Sequence, residues 1–128
     1  MIPVKTLKPT ESELEILQVL WDEKTATVRT VHEALSKTKE SGYTTTLKLM
    51  QIMFEKGLVS RNESSKTHIY QPTVSREKTQ KQFLNKMIQT LFAGSSANLV
   101  LQALGGNNTS EAELEKIQDL INQLKREK

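Results

Sequence analysis

Apolar positions recur at helical spacing along most of this chain, with one short region of strand character between residues 58 and 71. Residues 1–9 read as an extended arm ending at Pro9. Thr10-x-x-Glu13 then has the form of a capping box, in which each residue satisfies a free backbone donor of the other. Leu14, Leu17 and Trp21 follow at i, i+3, i+7, with Leu20 widening the stripe, so a first helix is expected through about Glu23. Lys24 to Thr27 is polar and partly β-branched, either a short connection or a one-rung strand. Val28, Val31 and Leu35 repeat the helical spacing in a second helix that frays in the run SKTKES.

Gly42 to Gly57, GYTTTLKLMQIMFEKG, is the stretch that organises the rest. At about 100° per residue, Thr46, Leu47, Met50, Met53 and Phe54 gather on one side of a third helix. Thr44, Thr45, Lys48, Gln51 and Glu55 gather on the other, with Ile52 among them. Such a face suits either plain solvation or the major groove of DNA, which is wide enough to admit a helix. Leu58–Arg61 reads as a strand, Asn62–Lys66 as a polar turn, and Thr67–Gln71 as a return strand ended by Pro72. Two helices, a turn, a third helix and a hairpin together predict a winged helix-turn-helix. Arg61 and Lys66 flank the hairpin tip and are candidate phosphate contacts, which position a protein without reading sequence.

Beyond Val74 the pattern is purely helical. After Ser75, Phe83, Met87 and Leu91 form one i, i+4 row, and Leu84, Ile88 and Phe92 form a second beside it. Gly94 ends that helix, Ser95-Ser96 can cap a short one containing Leu99, Val100, Ala103 and Leu104, and Gly105–Asn108 reads as a break. Ser110-x-x-Glu113 repeats the capping box before Leu114, Ile117, Ile121 and Leu124, with Leu120 alongside. So much apolar surface on three helices cannot be covered within so small a unit. Either these helices fold back on residues 1–74 or two copies interleave as a two-fold dimer, and the dimer is the favoured expectation. The predicted class is mainly α: a winged-helix DNA-binding domain over 1–74, then an all-helical dimerisation domain over 75–128.

Composition narrows the chemistry. At 128 residues, 36% hydrophobic and 26% charged, the chain is ordinary globular protein. A net charge of +3 permits an anionic partner, yet falls far short of histone-like binding. With no cysteine there is neither a disulfide nor a thiolate metal site. No apolar run reaches the roughly 20 residues of a membrane span, and MIPVKTLKPT lacks a signal-peptide core, so a cytoplasmic protein is expected. His32 and His68 lie in different elements without ligand-spaced partners, so no metal and no cofactor is expected. Neither GxGxxG, GxxxxGK nor GxSxG occurs, and Glu11, Glu13 and Glu15 suit the positive end of the first helix, so no enzyme and no small-molecule substrate is expected.

LKPTESELEILQVLW, TATVRTVHEAL, YTTTLKLMQIMFEKGLVSR and HIYQP, in that order, resemble the DNA-binding domain of the penicillinase-repressor family of winged-helix regulators. The helical remainder, including NLVLQAL, resembles the family's dimerisation domain. The resemblance implies a homodimeric repressor on a palindromic operator, with Thr44, Thr45 and Lys48 facing the major groove and the wing tip touching the backbone. Ile52 stands where the family often has arginine; it can rest on a thymine methyl, or pack against protein if the helix is tilted. Lys48 replaces a small hydroxyl residue and restores a charge one turn away. Relatives switched off by proteolysis are cut at an asparagine–phenylalanine bond. The matching pair here is Gln102–Ala103, so the resemblance raises a membrane-bound sensor peptidase as a partner while that bond does not support it. The cysteine-rich tail of the copper-responsive branch is absent. A protein-interaction module is the competing expectation, and six basic against three acidic residues between Lys37 and Lys66 favour nucleic acid over it.

Overall fold

The computed structural model describes residues 8–128, so most of the expected arm lies outside the described residues. The chain divides into two compact units, residues 1–81 and 82–128. The division expected at 74/75 falls at the start of a helix whose first turns belong to the first unit.

The first unit contains α1 (Glu11–Glu23), α2 (Val28–Leu35), α3 (Tyr43–Lys56), β1 (Val59–Asn62), β2 (Ile69–Pro72) and the beginning of α4 (Arg76–Leu91). The capping box of α1 forms as expected: Glu13 N–H donates to Thr10 Oγ1 at 3.2 Å and Thr10 N–H to Glu13 Oε1 at 2.8 Å. The buried stripe is centred elsewhere than expected, on Ile16, Leu17 and Leu20, with Leu14 and Trp21 only half-buried at its margins. Trp21 stays at the margin because its indole N–H needs an acceptor and finds Val74 O at 2.9 Å, tying the chain after the hairpin to α1. Thr27 caps α2: its Oγ1 accepts from Thr30 N–H at 3.2 Å and its hydroxyl donates to Thr30 Oγ1 at 3.2 Å.

α3 ends in a Schellman arrangement. Gly57 N–H donates to Phe54 O at 3.0 Å and Leu58 N–H to Met53 O at 2.9 Å, with Gly57 at φ 82°, a conformation that favours glycine. That cap explains why the hairpin is shifted from its expected bounds. The Leu58 N–H is used by the helix end while its carbonyl accepts from Thr73 N–H at 2.9 Å, and the antiparallel ladder runs from Val59↔Pro72 to Asn62↔Ile69. The intervening loop is 63–68, and within it Ser65 Oγ–H donates to Thr67 O at 2.7 Å. Of the two readings of Lys24–Thr27, the single rung forms, at Ala26: its N–H donates to Tyr70 O at 3.0 Å and its carbonyl accepts from Tyr70 N–H at 2.8 Å. Tyr70 and Val59 of the hairpin join Ile16, Leu20, Val31, Met50 and Met53 in one closed core.

The second unit comprises the rest of α4, then α5 (Ser96–Gly106) and α6 (Glu111–Arg126). Gly94, at φ 86°, follows α4; Ser95 accepts from Asn98 N–H at 3.1 Å to cap α5. The expected break at Gly105 begins later, at Asn107, since both glycines remain helical and Asn107 Nδ2–H donates to Ala103 O at 2.9 Å. Ser110 and Glu113 form the second capping box, with Glu113 N–H donating to Ser110 Oγ at 3.1 Å. No residue after Thr79 is buried.

Candidate nucleic-acid interface

The orientation of α3 follows from its buried side. Thr46, Met50 and Met53 face the core, so the opposite side chains of Thr44, Thr45, Lys48, Gln51, Ile52 and Glu55 are all exposed. Lys48 lies at the middle of that face and Glu55 near its C-terminal end. A carboxylate there repels phosphate, so the half of α3 carrying Thr44, Thr45 and Lys48 is the half suited to duplex DNA.

Ion pairing decides which cations are available. Among the described residues, Lys39 pairs with Glu15 at 2.9 Å, Lys56 with Glu13 at 2.6 Å, Arg61 with Glu63 and Arg76 with Asp22. Three of the six basic residues counted between Lys37 and Lys66 are therefore engaged within the protein. Arg61 is the most committed of the wing residues. Its guanidinium lies 3.9 Å from the Phe54 ring centroid as well as on Glu63. The bond to Glu63 first, and then Tyr70, raise the Arg61 pKa above its ordinary value against partial desolvation. The same bond, with the charge of Arg61, holds the Glu63 carboxyl below the usual carboxylate range. Lys66, at the other end of the loop, is exposed and in none of these pairs.

The wing side of α3 brings Arg29 and Tyr43, which the sequence did not single out as site residues, to a groove shared with Gln51 and Lys66, which it did. A groove of ≈ 370 Å³ runs between α2, α3 and the hairpin, and Arg29, Tyr43, Gln51, Lys66 and His68 line it. Arg29 Cζ stands 5.7 Å from the Tyr43 ring centroid, and the His32 ring meets Tyr43 edge-on at 5.7 Å. His32 is half-buried, with Nδ1 3.5 Å from Thr46 Oγ1, consistent with a boundary residue packed between α2 and α3. Arg29 had a signal in the sequence: it is the second residue of a Thr27-capped helix, opposite the Val28 and Val31 stripe. What the sequence lacks is the proximity of that position to Lys66, which depends on how α2 and the hairpin meet at Ala26 and Tyr70.

In the second unit, Met87, Leu91, Leu114, Ile121 and Leu124 are exposed, and Phe83, Leu99 and Ile117 are half-buried. Leu91 is 72% exposed and Leu101 70%, values that leave most of each side chain in water. Gln102 and Ala103 are exposed within the regular part of α5, where Gln102 Nε2–H donates to Asn98 Oδ1 at 3.2 Å. Among the described residues no group of three or more histidine, acidic or cysteine side chains is placed to hold a metal, and no helix is long and apolar enough to cross a membrane.

The chain is similar to known proteins over most of its length. The family described as penicillinase repressor matches residues 9–123. The methicillin resistance regulatory protein MecI of Staphylococcus aureus (strain N315) is 25% identical over 122 residues, covering 92% of this chain and 96% of that protein. The penicillinase repressor of Staphylococcus aureus is 23% identical over 124 residues, covering 94% and 95%. The transcriptional regulator BlaI of Mycobacterium tuberculosis (strain CDC 1551 / Oshkosh) is 35% identical over 66 residues, covering 51% of this chain and 48% of that one. The solution structure of the DNA-binding domain of the repressor BlaI superposes with a TM-score of 0.50 at 21% identity, over 59% of this chain and 90% of that domain, which establishes the winged-helix fold.

Proposed function

The chain belongs to the penicillinase repressor family, and from that premise we propose that it represses transcription by binding a palindromic operator as a homodimer. The exposed polar face of α3 carries this reading: Thr44, Thr45, Lys48 and Gln51 stand clear of the core on a helix of the width a major groove admits. Thr44, Thr45, Lys48 and Gln51 are assigned to base edges. Lys66 and Arg29 are assigned to backbone phosphates on the wing side, and Arg61 serves mainly to brace the wing on Phe54.

Dimerisation rests on the second unit. Apolar rows without a buried member favour a second copy as their cover, and a two-fold pair delivers two copies of α3 to two half-sites. Joining the half-sites makes the second binding event intramolecular, which supplies much of the affinity. Duplex DNA as the partner locates the protein in the cytoplasm, with the chromosome. Relief by a membrane-bound sensor peptidase would have to cut Gln102–Ala103 inside helical α5, so cleavage there requires prior unwinding; the connection from Asn107 to Thr109 is a more accessible backbone.

The test is titration of the full-length protein with duplexes from its own promoter across a salt series. Affinity that falls steeply with salt, for one palindrome far more than for random duplex, is the expected result. Salt-insensitive association, or no promoter shift at all, would instead favour a winged-helix module that binds protein.

A further inference from the structure

On the outward face of α3, five of the six side chains are polar and the sixth is Ile52. It is 36% exposed and does not belong to the set of half-buried apolar residues, such as Leu47, Leu49 and Phe54, that pack against the core of the first unit. Its β-branched side chain therefore stands partly open to solvent on an otherwise polar face. Ile52 lies four residues beyond Lys48 and seven beyond Thr45, nearly in line with both along the helix. The face that presents those two to DNA must present Ile52 as well.

We propose that Ile52 is a specificity-determining residue that selects thymine, by seating on the C5-methyl group in the major groove. This rests on the reading of α3 as the recognition helix. Among the base edges of the major groove, donors and acceptors are the rule and the thymine methyl is the apolar exception. A thymine in that position covers Ile52, whereas cytosine presents an amino group and no methyl, and a purine presents polar N7 with O6 or N6. Thr45 and Ile52 are separated by about 10 Å along a helix, so the selected thymine lies within about three base pairs of the base that Thr45 meets.

The experiment replaces thymines of the operator, chosen by the wild-type protein from random duplexes, with deoxyuridine one position at a time. Each replacement removes a methyl and leaves base pairing unchanged. At one position per half-site, the wild type is expected to lose about fourfold in affinity, and about fifteenfold when both half-sites are changed. Ile52→Ala should bind the thymine and uracil operators equally, while Ile52→Val retains part of the preference. Thermal unfolding of both variants should match wild type, since the residue is outside the core. If wild type binds its operator with a steep salt slope yet tolerates deoxyuridine everywhere, the role of Ile52 is overturned and the repressor reading survives. An Ile52→Ala protein weakened by the same factor on both operators, and so keeping the wild-type preference for thymine, assigns the side chain to protein packing and also overturns the inference. Wild-type protein that selects no duplex removes both readings together.

Discussion

The two units of this protein spend their apolar residues in opposite ways. In the first, Ile16, Leu17, Leu20, Val31, Met50 and Met53 come from three helices and are fully closed off from water. In the second, three helices with at least as regular a heptad-like pattern leave Leu91 and Leu101 mostly in solvent and bury nothing. Helix propensity and capping are as good in α6 as in α1, since both carry a complete capping box. The difference is therefore one of partner, not of local structure. A core closed within one chain makes stability a property of the monomer, and an uncovered face makes it depend on what binds there.

The comparison can be broken most severely at the uncovered face. Leu91→Asp or Ile117→Asp would place a charge in the proposed seam and abolish pairing, lowering operator affinity by about 10² to 10⁴ as the half-sites become independent. Sedimentation equilibrium that finds either variant still dimeric would discard the assigned interface. In the first unit, Leu17→Ala removes a fully buried side chain and should cost about 2–5 kcal/mol. Its unfolding should be followed against protein concentration: the loss belongs to the monomer core, so it should persist at every concentration.

Smaller effects sharpen the division of labour on the DNA face. Lys48→Ala should cost about 1–3 kcal/mol on the cognate operator and less on random duplex. Lys66→Ala and Arg29→Ala should weaken both duplexes alike and each reduce the salt slope by about one unit. A variant of Lys66 that lost only the cognate operator would exchange the roles of wing and helix. The smallest effect concerns acid. The Glu63 carboxyl is held below its ordinary range by Arg61, so their bond is intact above that range and is lost as pH falls through the depressed value. Glu63 is exposed and the pair lies at the surface, so the change should register in side-chain NMR of Glu63 with little movement of the unfolding midpoint. Were the Glu63 resonance to titrate at an ordinary carboxylate pH, Arg61 would be free to meet phosphate after all.

Local chemistry was readable from residues near one another in the chain. Thr10 with Glu13, Ser110 with Glu113 and the glycine that ends α3 all announced themselves, because each depends on neighbours or on a backbone angle. The hairpin was recognisable but displaced by one residue at its start, where the Schellman cap takes the N–H of Leu58. Which face of α3 points outward was also legible, because helical periodicity alone sorts Thr46, Met50 and Met53 from Thr44, Thr45 and Lys48.

Contacts between distant residues were settled by the tertiary structure alone. Glu13 looked like a capping residue in a favourable helix dipole. It is also 2% exposed and bound to Lys56, 43 positions away, which takes that lysine out of the count of available cations. Arg61, an expected phosphate contact, lies against Phe54 and Glu63, while Arg29 of α2 lines the same groove as Lys66. Side-chain charge is written in the sequence, but its availability depends on where other elements bring their own charges and rings. That is a matter of packing between elements, which no spacing within a helix encodes.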